Sequence, residues 1–326
     1  MEGMSTTAVS VCASSSLPAV PSMALTLEHV EVDGMRVRIG HGPAKAEPAR
    51  GTAVILTGRA EFIEKYTETV AELADAGFAV AIFDWRGQGG SDRFDGLDRR
   101  GHVLEIEDYL LDLATVLDRL EELALPKPWL MLAHSMGGHV GLRYLAQKPG
   151  RFAGAVLSAP MFGINLRLLP PPLAQAICRL AIRLGAGTRY APGQRDPNPA
   201  RLAYARNRLT SCPERFADYR RMVEATPELI VGGVTYAWLA ASLRSIALIH
   251  APGFPESIDV PILVCEAGEE RIVSNRAIER IVARLPHGRR RIFPKARHEL
   301  LREREPIRRE VIRTFVTFAD ELGRRR

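Results

Sequence analysis

Apolar positions along this chain keep three different periods. Over "TLEHVEVDGMRVRIG" they alternate with polar ones, which predicts two half-buried strands joined by a tight turn at Asp33-Gly34. "TAVILTG", ending at Gly58, is instead an unbroken apolar run, as expected of a strand buried on both faces. "FAVAIFDW", "PWLMLAHS" and "FAGAVLSAP" are further strands of that kind. Between them, "EKYTETVAELADAG", "VLEIEDYLLDLATVLDRLEEL" and "GGHVGLRYLAQKPG" carry apolar residues at helical spacing, the first closing at Gly77. Strand and helix in strict alternation predict an α/β fold, a mostly parallel central sheet with helices on both faces.

From residue 161 to 255 the alternation stops. Clusters of Pro, Gly and Arg separate short helical patterns ("PPPLAQAICRLAIRLG", "PERFADYRRMVEA", "TYAWLAASLRSIA"), and no strand signal appears. It resumes with "VPILVCEAGEE", "SNRAIERIVARLPHG", "RRRIFPKARHE" and a last helix, "PIRREVIRTFVTFADEL". The expected organisation is therefore an α/β core over 25–160 and 256–326, interrupted by a helical cap or lid at 161–255. The Ser- and Ala-rich residues 1–24 are expected to be a disordered tail, with Met23 as an alternative start.

Composition narrows the class. The 326 residues are 46% hydrophobic and 25% charged, enough for a sizeable core. No apolar stretch approaches the roughly 20 residues of a membrane-spanning helix, and the N-terminus lacks a basic start and a continuous apolar run. Cys12 lacks the small preceding residue of a lipid-anchor site. Cys12, Cys178, Cys212 and Cys265 form no CxxC pair, which suits a reducing cytoplasm. The net charge of +6 is uneven: from Arg271 onward there are 17 Lys and Arg against 7 Asp and Glu. Such a segment could draw the protein to an anionic membrane as a peripheral contact, at the inner face for a cytoplasmic protein. Its alternation with Glu in "LREREPIRREVIR" argues for a solvated surface and against nucleic acid.

The chemistry concentrates at "LMLAHSMGGH". Ala133-His134-Ser135-Met136-Gly137 nearly fits Gly-x-Ser-x-Gly, in which serine sits on a strained strand-to-helix turn and the residues two places away must be small. A serine hydroxyl needs a base, and the base an orienting carboxylate. For this layout both should follow in the order acid then histidine, each at the end of a later strand. Glu270 follows "PILVCEAG" and His298 follows "RRRIFPKA", 28 residues apart, with room for a helix and a strand between. Directly before Arg271-Ile272-Val273, Glu270 is the choice for the acid over Glu269. His29, His41 and His102 precede the serine, His134 and His139 flank it, His250 lies in the insertion and His287 in a turn. An oxyanion hole would use the backbone N–H of Met136 and one from "LTGRAEFIEKY", at Arg59. No metal or cofactor is required.

"TGRAEFIEKY", "FDWRGQGGSDR", "AHSMGGHVGLRYL", "CEAGEERIVSN" and "KARHELLRE" together resemble the α/β-hydrolase superfamily, in its branch of monoacylglycerol lipases and bacterial lysophospholipases. The resemblance covers about residues 25 to 322. It implies the α/β-hydrolase fold, a serine esterase acting on a small lipid or ester substrate, and a cap over the acyl pocket. It makes Asp84, Arg86 and Gly87 a structural brace. Thr57 stands where many relatives have His, and Glu270 where most have Asp; the "AGEERIV" form looks nearest to the lysophospholipases. A hydrolase of another small ester or amide is the alternative, and a non-catalytic ligand-binding member a more distant one. Epoxide and haloalkane hydrolases would need Asp at position 135.

Overall fold

Eight strands share one sheet in the computed structural model, which describes residues 25–166, 169–198 and 202–324. The expected tail at 1–24, with Cys12 and Met23, lies outside the described residues. β1 (Thr26–Val32) and β2 (Met35–Gly42) form an antiparallel hairpin, with Thr26 opposite His41 and Val32 opposite Met35. Its turn residues, Asp33 and Gly34, both have positive φ (53° and 74°), the conformation that suits the right-handed twist of a hairpin.

The strands that follow are β3 (Thr52–Leu56), β4 (Ala79–Phe83), β5 (Trp129–His134), β6 (Gly154–Ser158), β7 (Ile262–Ala267) and β8 (Gly288–Phe293). Their spatial order is β1-β2-β4-β3-β5-β6-β7-β8; β2 meets β4 antiparallel, and every pairing from β4 to β8 is parallel. The helices are α1 (Thr67–Asp75), α2 (Glu107–Glu122), α3 (Met136–Gln147), α4 (Pro171–Arg183), α5 (Pro213–Ala225), α6 (Tyr236–Ile249), α7 (Asn275–Val282) and α8 (Glu305–Gly323).

Side chains alternate across each strand, so each face of the sheet carries its own core. Val54, Leu56, Met131 and Leu157 pack with α2, α3 and α7, whereas Ile55, Leu130, Leu132 and Val156 pack with α1 and α8. Burying a Leu, Ile or Val completely is worth about 1.5–3 kcal/mol each, and β3 to β6 are buried throughout. That is why these strands read as unbroken apolar runs.

Two helix starts differ from the periodic pattern. Residues 63–66 form a 3-10 turn before α1, at whose start the Ile63 N–H donates to Asp84 Oδ1 (2.9 Å). Val103 and Ile106 are buried on an irregular approach, and α2 begins at Glu107. The "DWRGQGGSD" segment braces that approach. Buried Asp84 accepts from Arg38 Nε and Nη2 (2.8 and 2.6 Å) and from the Gly90 N–H (2.8 Å), and Arg86 Nε donates to Asp112 (2.8 Å).

Between β6 and β7 the described chain adds α4, α5 and α6 and no strand of the sheet. This insertion is tied to loops of the core. The Gly101 N–H donates to the Gly233 carbonyl (2.9 Å), Arg59 Nη1 to the Gly232 carbonyl (2.7 Å), and the Glu299 N–H to the Leu209 carbonyl (2.7 Å). α4 packs against α6 yet leaves Leu173, Ile177, Leu180 and Leu184 exposed. Among the described residues no helix is long and apolar enough to cross a membrane.

Many arginines of the basic C-terminal third are held in ion pairs. Arg289 meets Glu321, Arg290 meets Glu266, Arg291 meets Glu310, Arg308 meets Glu72 and Arg309 meets Glu305.

Candidate active site

β5 delivers Ser135 to its end and α3 begins at the next residue. Ser135 takes φ +50° and ψ −113°, close to the mirror image of extended backbone and strained for any residue with a Cβ. The surroundings fix it there. The Ser135 N–H donates to the Ser158 carbonyl (3.0 Å), and its own carbonyl accepts from the Met161 N–H (2.9 Å). A Cβ on Gly137 would lie 2.4 Å from the Leu56 carbonyl oxygen and 2.5 Å from that of Thr57, so the elbow sits hard against the end of β3. Gly138 is as restricted, with Pro160 Cβ 2.8 Å from the same virtual atom. At the other flank the Ala133 methyl is accommodated in the core, which explains why alanine serves in place of glycine.

Ser135 Oγ lies 2.9 Å from His298 Nε2, and His298 Nδ1 lies 2.7 Å from Glu270 Oε2. An ionised carboxylate accepts only, so Nδ1 carries the proton and Nε2 is left to accept from the serine hydroxyl. Glu270 Oε1 in turn accepts three successive N–H groups, from Arg271 (2.8 Å), Ile272 (2.7 Å) and Val273 (3.2 Å). Burial pushes the Glu270 pKa up, but the His298 contact and the amides outweigh it and hold the carboxyl below its ordinary range. Glu269 points elsewhere: its side chain is half exposed, and its nearest cation is Arg297 at 3.9 Å.

The remaining histidines are occupied away from the serine hydroxyl. His139 Nε2 meets Ser245 Oγ (2.6 Å), and burial first, then Arg143, lowers its pKa to about 3. His102 meets Thr235, His250 the Phe162 carbonyl, His29 the Gly90 carbonyl, His41 Glu28, and His287 Asp259. His134 Nδ1 bonds the Ser158 carbonyl (3.0 Å), while its ring packs 4.8 Å from that of His298.

Met136 is the first residue of α3, so its N–H has no partner within the helix and points out of the helix end. Arg59 lies in the loop after β3, beside the elbow: a Cβ on the preceding Gly58 would fall 3.0 Å from His134 Cδ2. That loop is held by buried charges absent from the sequence expectation. Glu61 accepts from the Gly58 N–H (2.6 Å), the Tyr66 hydroxyl (2.5 Å) and Lys65 Nζ (2.7 Å); Lys65 also reaches Glu299 (2.6 Å), the residue after His298. Burial alone would raise the Glu61 pKa, but Lys65, His134 and these hydrogen bonds keep it well below the usual carboxylate range. One ion-pair cluster thus joins the Arg59 loop to the His298 loop. Its only signal in the sequence is the Glu61–Lys65 spacing of four.

Comparison with known proteins places the chain in a family. The family model described as serine aminopeptidase, S33, matches residues 47–305. A probable lysophospholipase L2 of Haemophilus influenzae is 33% identical over 82% of this chain and 83% of its own. A monoacylglycerol lipase of Mycolicibacterium smegmatis is 26% identical over 84% of this chain and 90% of its own. Among solved structures, a soluble variant of the monoglyceride lipase of Saccharomyces cerevisiae superposes with a TM-score of 0.75 at 17% identity, over 94% of this chain and 99% of that one. The fold is the α/β-hydrolase fold that the motif resemblance implies, built on the mostly parallel sheet expected from the order of elements.

Proposed function

The chain belongs to the serine aminopeptidase S33 family, and from that premise we propose that it is a serine hydrolase cleaving the ester of a single-acyl lipid through an acyl-enzyme on Ser135. The observation that carries this reading is the unbroken line from Ser135 Oγ through His298 to Glu270, mounted on a strained elbow.

In the proposed reaction His298 Nε2 takes the Ser135 proton as Oγ attacks the ester carbonyl. The oxygen that becomes negative faces the N–H groups of Met136 and Arg59, each worth about 3 kcal/mol of barrier in comparable sites. Protonated His298 is stabilised by Glu270 and passes its proton to the departing glycerol oxygen. A water molecule, deprotonated by the same nitrogen, then releases the fatty acid. Residues 161–255 serve in this scheme as the cap over the substrate.

Lipid esters are supported by the names of the relatives, a lysophospholipase and a monoacylglycerol lipase. Contact with a membrane is supported by α4. Leu173, Ile177, Leu180 and Leu184 recur at four, three and four residues and so form one exposed stripe, with exposed Arg179 and Arg183 on the same helix. This arrangement suits an interfacial helix on an anionic surface. It also transfers the expected lipid contact from the C-terminal third, where many cations are already paired, to the insertion.

The test is fatty-acid release from lysophosphatidylcholine and from monoacylglycerol of equal chain length, with Ser135→Ala as the blank. Release from either, abolished in the variant, supports the reading. Silence on both while a short aryl ester is still cleaved discards the substrate class.

A further inference from the structure

A cavity of about 310 Å³ lies between the loop after β3 and the insertion. Arg59, Lys65 and Glu299 form its wall on the core side, and Arg195, Tyr219 and Val223 line it from the insertion. Two of these residues are chain neighbours of the reaction centre: Arg59 is the proposed oxyanion residue, and Glu299 follows His298.

The charges in this wall are not equivalent. Lys65 is neutralised by Glu61 and Glu299 at 2.7 and 2.6 Å. Arg59 has no such partner. Among the described residues no carboxylate lies within ion-pair distance of it; its contacts are the Gly232 carbonyl (2.7 Å) and the face of Trp238, 5.9 Å from the ring centroid. A guanidinium carries five N–H donors, and one carbonyl uses one of them. The fully buried arginines Arg38, Arg86, Arg143, Arg302 and Arg308 each meet a carboxylate, whereas the partly buried Arg59 and Arg93 bond the backbone carbonyls of Gly232 and Glu228. Burial lowers the Arg59 pKa, and the side chain stays partly exposed at the cavity wall. An acyl chain would leave that charge uncompensated, whereas an anion in the cavity would satisfy it.

We propose that this cavity is a subsite for the phosphate of a lysophospholipid headgroup, with the Arg59 guanidinium as its contact. The inference rests on the lipid-esterase reading above and deepens it. Bond counting supports the placement. In a 1-acyl glycerophospholipid, six bonds separate the scissile carbonyl carbon from phosphorus; six also separate the Arg59 backbone nitrogen from its guanidinium carbon, so each extended arm spans about 7 Å. The same residue can therefore give its N–H to the carbonyl oxygen and its side chain to the phosphate. Exposed Arg195 adds a second cation from the insertion.

The experiment compares kcat/KM for 1-oleoyl-lysophosphatidylcholine and 1-oleoylglycerol in identical mixed micelles, for the wild type, Arg59→Met and Arg59→Lys. The ratio of the two values is expected to fall at least tenfold in Arg59→Met, mainly through KM, and to be partly retained in Arg59→Lys. Parallel loss on both substrates would reduce Arg59 to a loop-shaping role and overturn the subsite. So would an altered chain-length preference with the headgroup ratio unmoved. A second measurement needs no variant: sn-glycerol 3-phosphate should competitively inhibit wild-type cleavage of a short aryl ester, and glycerol should not. Equal inhibition by both, or by neither, overturns the subsite. The two levels also fail separately. Wild-type silence on both lipids with inhibition by glycerol 3-phosphate rejects the substrate class and keeps the anion site. Brisk lysophospholipid cleavage with an unmoved ratio does the reverse.

Discussion

His298 Nδ1 stands 2.7 Å from Glu270 Oε2, and the other oxygen of that carboxylate is fixed by three consecutive backbone amides. Both sides of the group are thereby committed, one to the imidazole and one to the chain turn that carries it. Replacing the carboxylate by an amide removes the charge and offers an N–H to Nδ1, which selects the wrong tautomer. Glu270→Gln is expected to lower kcat on the order of 10⁴-fold on a short aryl ester. Glu269→Gln, with its half-exposed side chain, should stay within a few-fold of wild type. The opposite pattern would reassign the acid.

The elbow stores conformational strain at Ser135, whose φ of +50° and ψ of −113° suit glycine far better than a residue with a Cβ. Two inactive variants separate this from lost chemistry. Ser135→Ala keeps the Cβ and Ser135→Gly removes it. The glycine variant is expected to be more stable than the alanine variant by about 1 kcal/mol, after the entropy of glycine in the unfolded chain is subtracted. Urea unfolding of the two proteins measures the difference; a less stable glycine variant would mean the elbow is not strained.

Glu61 links the Gly58 amide, Tyr66 and Lys65 in a buried cluster. Its folded-state pKa lies below the ordinary value of 4.5, so its ionised form stabilises the fold. That contribution is complete above pH 4.5 and is lost as the pH falls through the lower folded value. Glu61→Gln should cost about 3 kcal/mol at pH 7, because Lys65 loses one of its two carboxylates in a buried setting. The gap between variant and wild type should narrow between pH 4.5 and 3 in denaturant titrations. A gap independent of pH would show that Glu61 acts through packing alone.

α4 supplies a separate test of the membrane reading. Leu173 and Leu180 are 51% and 58% exposed, so burying the remainder of each in lipid would contribute roughly 1 kcal/mol or a little more. Leu173→Ser combined with Leu180→Ser should weaken binding to vesicles containing anionic lipid at least about tenfold, read by flotation. Unchanged binding would move the contact off α4.

The meeting of Ser135, Glu270 and His298 is legible in the chain because its causes are local. Small residues are forced around a serine on a sharp turn, and parallel strands that end at one edge bring their following residues together in a fixed order. The sheet is legible for a related reason, since strands buried on both faces leave unbroken apolar runs. The Glu61–Lys65–Glu299 cluster is not. Lys65 and Glu299 stand 234 residues apart, and charged residues are ordinarily exposed, so nothing in their spacing announces a buried group. Charge counting is blind to pairing in the C-terminal third for the same reason. An excess of arginine in the sequence does not show that Arg289, Arg290 and Arg291 each face a carboxylate. The apolar stripe of α4 looks like packing in the sequence, yet α4 lies against α6 with those four residues turned outward.

Acylation of Ser135 can be read by intact-protein mass spectrometry. Wild-type protein is mixed with a lysophospholipid, quenched in acid within milliseconds to seconds, weighed and peptide-mapped. The expected result is an added mass equal to the fatty acyl group, located on the peptide containing Ser135, with no adduct or fatty-acid release in Ser135→Ala. Fatty-acid release by Ser135→Ala within tenfold of wild type, or an acyl group found on another residue, would contradict it.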